Sequence, residues 1–265
     1  MSALDINLIA VVFYLLAASY VFISLWRSKP VQRQYLYLLT AVALIAHGTG
    51  CALLIVQPKG LALSLFPVSS LIFCTVNIVV LLSAARKPLH NLFIILFPLT
   101  IVAIITSLLP PSNNVLLPLT VGLTSHILLS ILAYSLLTIA TLQALFLAFQ
   151  NHRLKQKRSL GPRGLLPPLQ TMESLLFELL WAGQLLLTGA IISGIIFLDD
   201  IFAQHVVHKT VFTLFAWLIY SILLWGRHSL GWRGYTAIRW TLVGFVMLML
   251  AYFGSKIVLE FILNI

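Results

Sequence analysis

The most conspicuous shortage in this sequence is of charged residues. Only 8% of the 265 residues are Asp, Glu, Lys or Arg, against roughly 25% in a soluble domain, whose surface must be hydrated. The chain as a whole is strongly apolar, with 61% hydrophobic residues and a mean hydropathy of +1.07. So few charges cannot cover a water-soluble surface of this size. The composition therefore predicts an integral membrane protein and excludes a secreted domain, a cytosolic enzyme and a disordered chain.

Reactive and metal-binding motifs are equally scarce. The two cysteines, Cys51 and Cys74, lie inside apolar stretches, which is typical of small buried side chains. The sequence has no Cys-x-x-Cys pair, no Gly-rich phosphate loop and no His-x-x-x-His or His-Glu-x-x-His pattern. Glu178 is the one clear acid within a predicted span. These absences give no support to thiol redox chemistry, nucleotide hydrolysis or a zinc centre.

Long apolar runs dominate what is present. A helix needs about 20 mostly apolar residues to cross the hydrocarbon core of a bilayer, and about eight such runs lie between charged or Pro/Gly breaks. They predict an all-α, polytopic transmembrane helical bundle that forms a single transmembrane domain over 1–265, with a cytoplasmic connector loop at 151–173. The predicted spans are 6–26, 35–56, 66–84, 91–109, 119–149, 174–198, 209–226 and 236–262.

The basic residues predict the orientation of the bundle. Most of the 16 Lys and Arg residues fall in the loops after spans one, three, five and seven. The positive-inside rule places these loops in the cytoplasm and both termini outside, in the periplasm. The net charge of +10 is therefore a topology signal that also suits anionic lipid headgroups, and no nucleic-acid partner is expected.

The histidines differ in their predicted depth. Five of the seven lie at the membrane borders, where a solvated imidazole is the simplest interpretation: His90, His152, His205, His208 and His228. His47 lies near mid-depth, and His126 lies in the outer third of the fifth span. A polar side chain at such depth is costly and usually faces the bundle interior. Either a hydrogen bond between helices or ligation of a metal or haem by neutral imidazole explains both residues.

Three stretches and one short motif resemble a known family. The cytochrome c assembly family, whose members handle haem in membranes, has a helix that opens with His and continues with Ser-x-x-x-Tyr, as in SHILLSILAYSLLTIATLQALFLAFQ at 125–150. HKTVFTLFAWLIYSILLWGRHSLGWRG at 208–234, VMLMLAYFGSKIV at 246–258 and AHG at 46–48 are also similar to that family. The order and spacing agree, and the resemblance is strongest to its small eight-span proteins of the bacterial inner membrane.

The resemblance implies a set of haem-binding residues. His126 falls where the family has an external axial histidine, and His47 falls where it has the histidine of an early transmembrane helix. Both are therefore expected to ligate the iron of haem b, with Tyr134, Lys256 and Trp217 as lining residues. Lys256 could instead extend its ammonium group outward to the membrane surface. The expected partners are the lipid bilayer and other cytochrome c maturation or haem-trafficking membrane proteins.

The sequence also departs from the family pattern. The tryptophan-rich external segment is replaced by GIIFLDDIFAQHVVHKT, which has no tryptophan. Trp225 stands about where a second transmembrane histidine is expected, with His228 one turn later. The resemblance also implies a second external histidine after the last span, and the sequence up to Ile265 has none there. These departures predict an accessory or divergent role and no bond-making catalysis by side chains.

The sequence is also compatible with two other classes of function. A transporter or metal-ion homeostasis protein would use the buried histidines within a polar pathway across the membrane. A structural membrane subunit without a ligand would use them only to connect helices. The polar residues available for a pathway are few: Thr49, Asn77, Gln143, Gln184 and Thr188.

Overall fold

The computed structural model describes residues 2–27, 31–58, 60–84, 92–109, 116–117, 120–156, 168–197 and 207–254. In these ranges the chain is almost entirely helical, which confirms the predicted all-α polytopic fold. The helices are α1 (Ala3–Trp26), α2 (Arg33–Ile55), α3 (Leu65–Ala84), α4 (Phe93–Ser107), α5 (Val121–Lys155), α6 (Leu169–Phe197), α7 (Val207–Ser229) and α8 (Tyr235–Met249), which continues as a π-helix (Leu250–Gly254). On which side of the membrane the termini lie stays a prediction.

Seven of these helices are long and apolar enough to cross a membrane. The exception is α4, which has 15 residues and is therefore about 22 Å long at about 1.5 Å per residue, short of the roughly 30 Å hydrocarbon core. The predicted fourth span, 91–109, is longer than this helix. Helices α5 and α6 in turn extend into both ends of the predicted connector 151–173, while residues 157–167 lie outside the described ranges.

The contacts group the chain into two compact units, so the single transmembrane domain over 1–265 stays a prediction. The first unit comprises Met1–Pro118 and Gly161–Leu166. In it α1 packs against α2 and α4, and α3 packs against α2 and α4. Aromatic rings fill its core, with Phe93 stacked on Phe97 at 4.8 Å between centroids and Tyr14 tilted against Phe97 at 5.5 Å.

A small antiparallel sheet, which the sequence analysis did not predict, also belongs to the first unit. Its strands are β1 (Val56–Gln57), β2 (Gly60–Ala62) and β3 (Leu116–Leu117), in the order β1-β2-β3. Leu61 pairs with Val56 on one side and with Leu117 on the other. Strands of two or three residues are too short to produce a period-two hydrophobic pattern, and hydropathy therefore gave no sign of them.

The second unit comprises Leu119–Leu160 and Pro167–Ile265. Helix α5 packs against α6 and α8, and α7 packs against α8. At the end rich in basic residues, the Glu173 carboxylate of α6 accepts hydrogen bonds from Arg227 at 3.3 Å and from Arg233 at 3.2 Å. The guanidinium of Arg227 also lies 4.6 Å from the Phe177 ring centroid. These contacts fix the turn between α7 and α8 to the start of α6.

The same turn depends on a glycine. Trp232 donates its backbone N–H to the Gly226 carbonyl at 3.1 Å, and its indole ring covers Gly226 so closely that an added Cβ would lie 2.5 Å from ring atoms. We expect Gly226→Ala to lower the stability of the protein by about 1–3 kcal/mol, because the ring must move. Thermal unfolding in detergent would measure the loss.

Gly189→Ala is the matched control in the same unit. The nearest atom to an added Cβ there is 3.7 Å away, which is ordinary van der Waals contact. The unfolding temperature of this variant should stay unchanged or rise slightly, since alanine favours the helix. Equal destabilisation by the two substitutions would contradict the proposed crowding at Trp232.

Candidate functional site

His126 lies in the second unit, in the second turn of α5. The helix begins where Thr120 caps it, its side chain accepting the Leu123 N–H at 3.3 Å. His126 Nδ1 lies 2.9 Å from the Ala190 carbonyl oxygen and 3.1 Å from Ser193 Oγ, both on α6. A carbonyl oxygen only accepts hydrogen bonds, so Nδ1 must carry the proton and donate it. In the neutral imidazole, Nε2 therefore keeps its lone pair.

This arrangement is the one that metal-ligating histidines use. Such residues usually donate one ring N–H to a carbonyl or carboxylate, which fixes the ring orientation and makes the other nitrogen a stronger ligand. The Ser193 hydroxyl itself donates to the Ala190 carbonyl at 2.9 Å, so its oxygen is oriented to accept from His126. The His126 ring is only half-buried. The residue thus has a fixed tautomer and an imidazole that is not enclosed by the protein.

A cation and two aromatic rings lie at the same end of the second unit. Lys209 lies near the start of α7. Its Nζ lies 5.7 Å from the centroid of the Tyr252 ring, which contacts the Tyr134 ring edge-on at 5.9 Å. No sequence motif assigns Lys209, Ser193 or Ala190 to a site. A lysine near a span border is an ordinary feature, and the two α6 residues carry no distinctive signal.

The other predicted lining residues are used in contacts between helices. The Tyr134 hydroxyl is buried and donates to the Leu248 carbonyl at 2.9 Å, connecting α5 to α8. Trp217 donates its indole N–H to Thr188 Oγ1 at 2.9 Å, connecting α7 to α6. Lys256 lies outside the described residues. Within the described residues, the Tyr134 ring contacts the Tyr252 ring, which lies near Lys209.

His47 lies in the first unit and has a different environment. Its side chain is 0% exposed. Nε2 lies 2.9 Å from Ser70 Oγ on α3, and Nδ1 lies 3.3 Å from the Tyr14 hydroxyl on α1. Both nitrogens are occupied, and the Tyr14 ring packs edge-on against the imidazole at 5.8 Å. As the structure stands, His47 is arranged to connect three helices and offers no nitrogen to an iron ion.

The polar residues that a transport pathway could use form hydrogen bonds between helices or within their own helix. Asn77 donates to Thr100 Oγ1 at 2.7 Å, connecting α3 to α4. Gln143 donates to the Met172 carbonyl at 3.3 Å, and Gln184 donates to Ser221 Oγ at 2.7 Å. Thr49 bonds to carbonyls of its own helix. This pattern is typical of interhelical connections and does not resemble a polar pathway.

The other histidines within the described residues lie at the surface of the protein. His152, His208 and His228 are exposed, as expected for imidazoles at the membrane border. Trp225, at the position of the expected second transmembrane histidine, is 63% exposed. No group of three or more His, Cys, Asp or Glu residues suited to a metal ion occurs within the described ranges.

Comparison with known proteins identifies the family. The family model described as "Cytochrome C assembly protein" matches residues 35–263, which include both His47 and His126. The chain belongs to the cytochrome c assembly protein family. It is 31% identical over 258 residues to the inner membrane protein YpjD of Escherichia coli K12, covering 96% of this chain and 98% of YpjD. The family resemblance found in the sequence is thereby confirmed.

No solved structure matches this chain significantly. A second relative matches part of the chain. The relative, an uncharacterized 28.8 kDa protein in the nifR3-like 5′ region of Azospirillum brasilense, is 30% identical over 141 residues, or 52% of each chain. The similarity to the inner membrane protein YpjD and the seven candidate membrane spans both indicate a location in the inner membrane. The chain is a multi-pass inner-membrane protein.

Proposed function

We propose that this member of the cytochrome c assembly protein family binds haem b at the outer end of its second unit, with His126 as axial ligand. The observation that carries the proposal is the hydrogen bond from His126 Nδ1 to the Ala190 carbonyl at 2.9 Å. It fixes the tautomer that leaves Nε2 unprotonated, which is the form a haem iron requires. The family supports haem as the guest, since cytochrome c is a haem protein.

The donor set at this end of the unit fits haem better than a free metal ion. A zinc site needs three or four close protein ligands, whereas haem needs one or two axial ligands and apolar walls. His126 supplies the lone pair, and Ser193 and Ala190 hold its ring. Lys209, whose Nζ lies 5.7 Å from the Tyr252 ring centroid at the same end of the unit, would supply a positive charge for a propionate carboxylate. Haem bound there would supply an iron centre able to change its oxidation state.

We propose an accessory or divergent role in cytochrome c assembly. The segment before Lys209 has no tryptophan, and Trp225 faces outward where a second ligand is expected. His126 would therefore be the axial ligand that the second unit supplies, and we propose no bond-making catalysis by side chains. Other cytochrome c maturation or haem-trafficking membrane proteins would be the partners. Lys256 as a second propionate partner stays a prediction.

Absorption spectroscopy tests the proposal. The protein, purified in mild detergent from haem-replete cells, should show a Soret band, and its pyridine haemochrome spectrum should be that of haem b. A colourless preparation that also fails to take up added haemin would contradict the proposal. The helix-connecting roles of His47, Asn77 and Gln184 would then favour a structural membrane subunit without a ligand.

A further inference from the structure

A groove on the surface of the first unit runs between α1 and α4. Its volume is about 390 Å³, and it is lined mainly by apolar residues: Ala18, Ser19, Val21, Phe22, Ile23, Ile94 and Pro98. A second hollow of about 360 Å³ is lined by Phe22, Ile23, Trp26 and Arg27. The two hollows share Phe22 and Ile23 and therefore lie next to each other along α1, and we treat them as one groove, with Arg27 among its lining residues.

Small and cyclic side chains create this groove. Ala18 and Ser19 are the smallest residues of its α1 wall, and they leave space opposite Pro98, which stands inside α4. Proline has no backbone N–H, so the carbonyl of Ile94 lacks the helical donor that it would otherwise receive from position 98. The space is therefore fixed by the backbone of α4 and by small side chains of α1.

The length of the groove matches one leaflet of a bilayer. Ala18 and Arg27 lie nine positions apart on α1, which corresponds to about 14 Å at 1.5 Å per residue. Half of the hydrocarbon core is about 15 Å. Trp26, at the Arg27 end, is 81% exposed, as tryptophans at the membrane–water interface commonly are. The groove thus extends from the interface to about the middle of the membrane.

We infer that this groove binds an anionic phospholipid, with one acyl chain along α1 and α4 and the headgroup phosphate beside Arg27. The apolar lining suits the chain, and the exposed cation at the interface suits a headgroup with net negative charge. A zwitterionic lipid carries its own ammonium group, so Arg27 gains less from it. The inference concerns the first unit alone and does not depend on haem binding at His126.

Competition between lipids tests the headgroup preference. The detergent-purified protein is mixed with equal amounts of dioleoyl phosphatidylglycerol and dioleoyl phosphatidylcholine. Native mass spectrometry then gives the ratio of the two lipids among protein molecules that carry one bound lipid. The wild-type protein should prefer phosphatidylglycerol, and Arg27→Gln should lower the ratio about fivefold, the usual contribution of one basic residue at a membrane surface. Arg239→Gln, an exposed arginine on α8, should leave the ratio unchanged. An unchanged ratio in Arg27→Gln, or equal effects of both substitutions, would overturn the inference.

Filling the groove tests the acyl-chain site separately. Ser19 is exposed, so Ser19→Phe adds a ring within the groove without disturbing the core, and it should reduce binding of both lipids. Ala52→Phe places a ring on an exposed position of α2 outside the groove and should have no effect. Matching size-exclusion profiles would establish that both variants fold. Wild-type lipid binding by Ser19→Phe would overturn the groove as the site.

Discussion

Replacing His126 with alanine should abolish the Soret band of the purified protein. Loss of the hydrogen-bond partners around a metal ligand already costs about 10–100-fold in metal affinity, and loss of the ligand itself should cost more. The measurement is the haem-to-protein ratio from absorbance in the same detergent. The fold should survive, because His126 is half-buried and, within the described part of the chain, its hydrogen bonds go to Ala190 and Ser193 on one neighbouring helix.

Two further measurements make the His126 experiment decisive. Added imidazole should restore part of the band in His126→Ala, since it can occupy the space that the side chain leaves. His228→Ala removes an exposed imidazole at the other end of the second unit and should retain the wild-type haem content. If His126→Ala keeps a full Soret band, the ligand lies elsewhere and the assignment of His126 is wrong.

Replacing His47 with alanine should have the opposite signature, with a large loss of stability and an unchanged Soret band. The substitution leaves a cavity at a position that is 0% exposed, and it leaves the Tyr14 and Ser70 hydroxyls without this partner. Together the cavity and the broken hydrogen bonds should cost about 2–4 kcal/mol. Thermal unfolding in detergent measures the stability, and absorbance measures the haem content.

The controls for His47 separate a role in packing from a role in ligation. His152→Ala, at an exposed position near the end of α5, should change neither quantity. In a double-mutant cycle, His47→Ala and Ser70→Ala should be strongly non-additive, because each removes the same hydrogen bond. If His47→Ala instead loses the Soret band at unchanged stability, then His47 is a ligand and its observed hydrogen bonds must break on binding.

Hydropathy predicted most of the helices within a few residues of their observed ends. The reason is physical: inside lipid each helix satisfies its own backbone, so an apolar run of sufficient length suffices to specify it. The differences are largest at the end of α5, which continues to Lys155 and not to 149, and at the start of α6, which begins at Leu169 and not at 174. There the helices continue into polar sequence, because helical hydrogen bonding does not stop where hydropathy falls. The short sheet at Val56–Gln57 and Gly60–Ala62 had no such signal.

The sequence by itself determined that this is a helical membrane protein with two histidines at depth, since composition and apolar run length are local properties of the chain. It treated His47 and His126 alike, as inward imidazoles of the same family. Only the tertiary structure distinguished them, because the partners of each ring come from distant parts of the chain. His126 meets residues 64 and 67 positions away and keeps one nitrogen available, whereas His47 meets residues 33 and 23 positions away that occupy both. Which imidazole can hold an iron ion therefore depends on helix packing, and no local pattern encodes it.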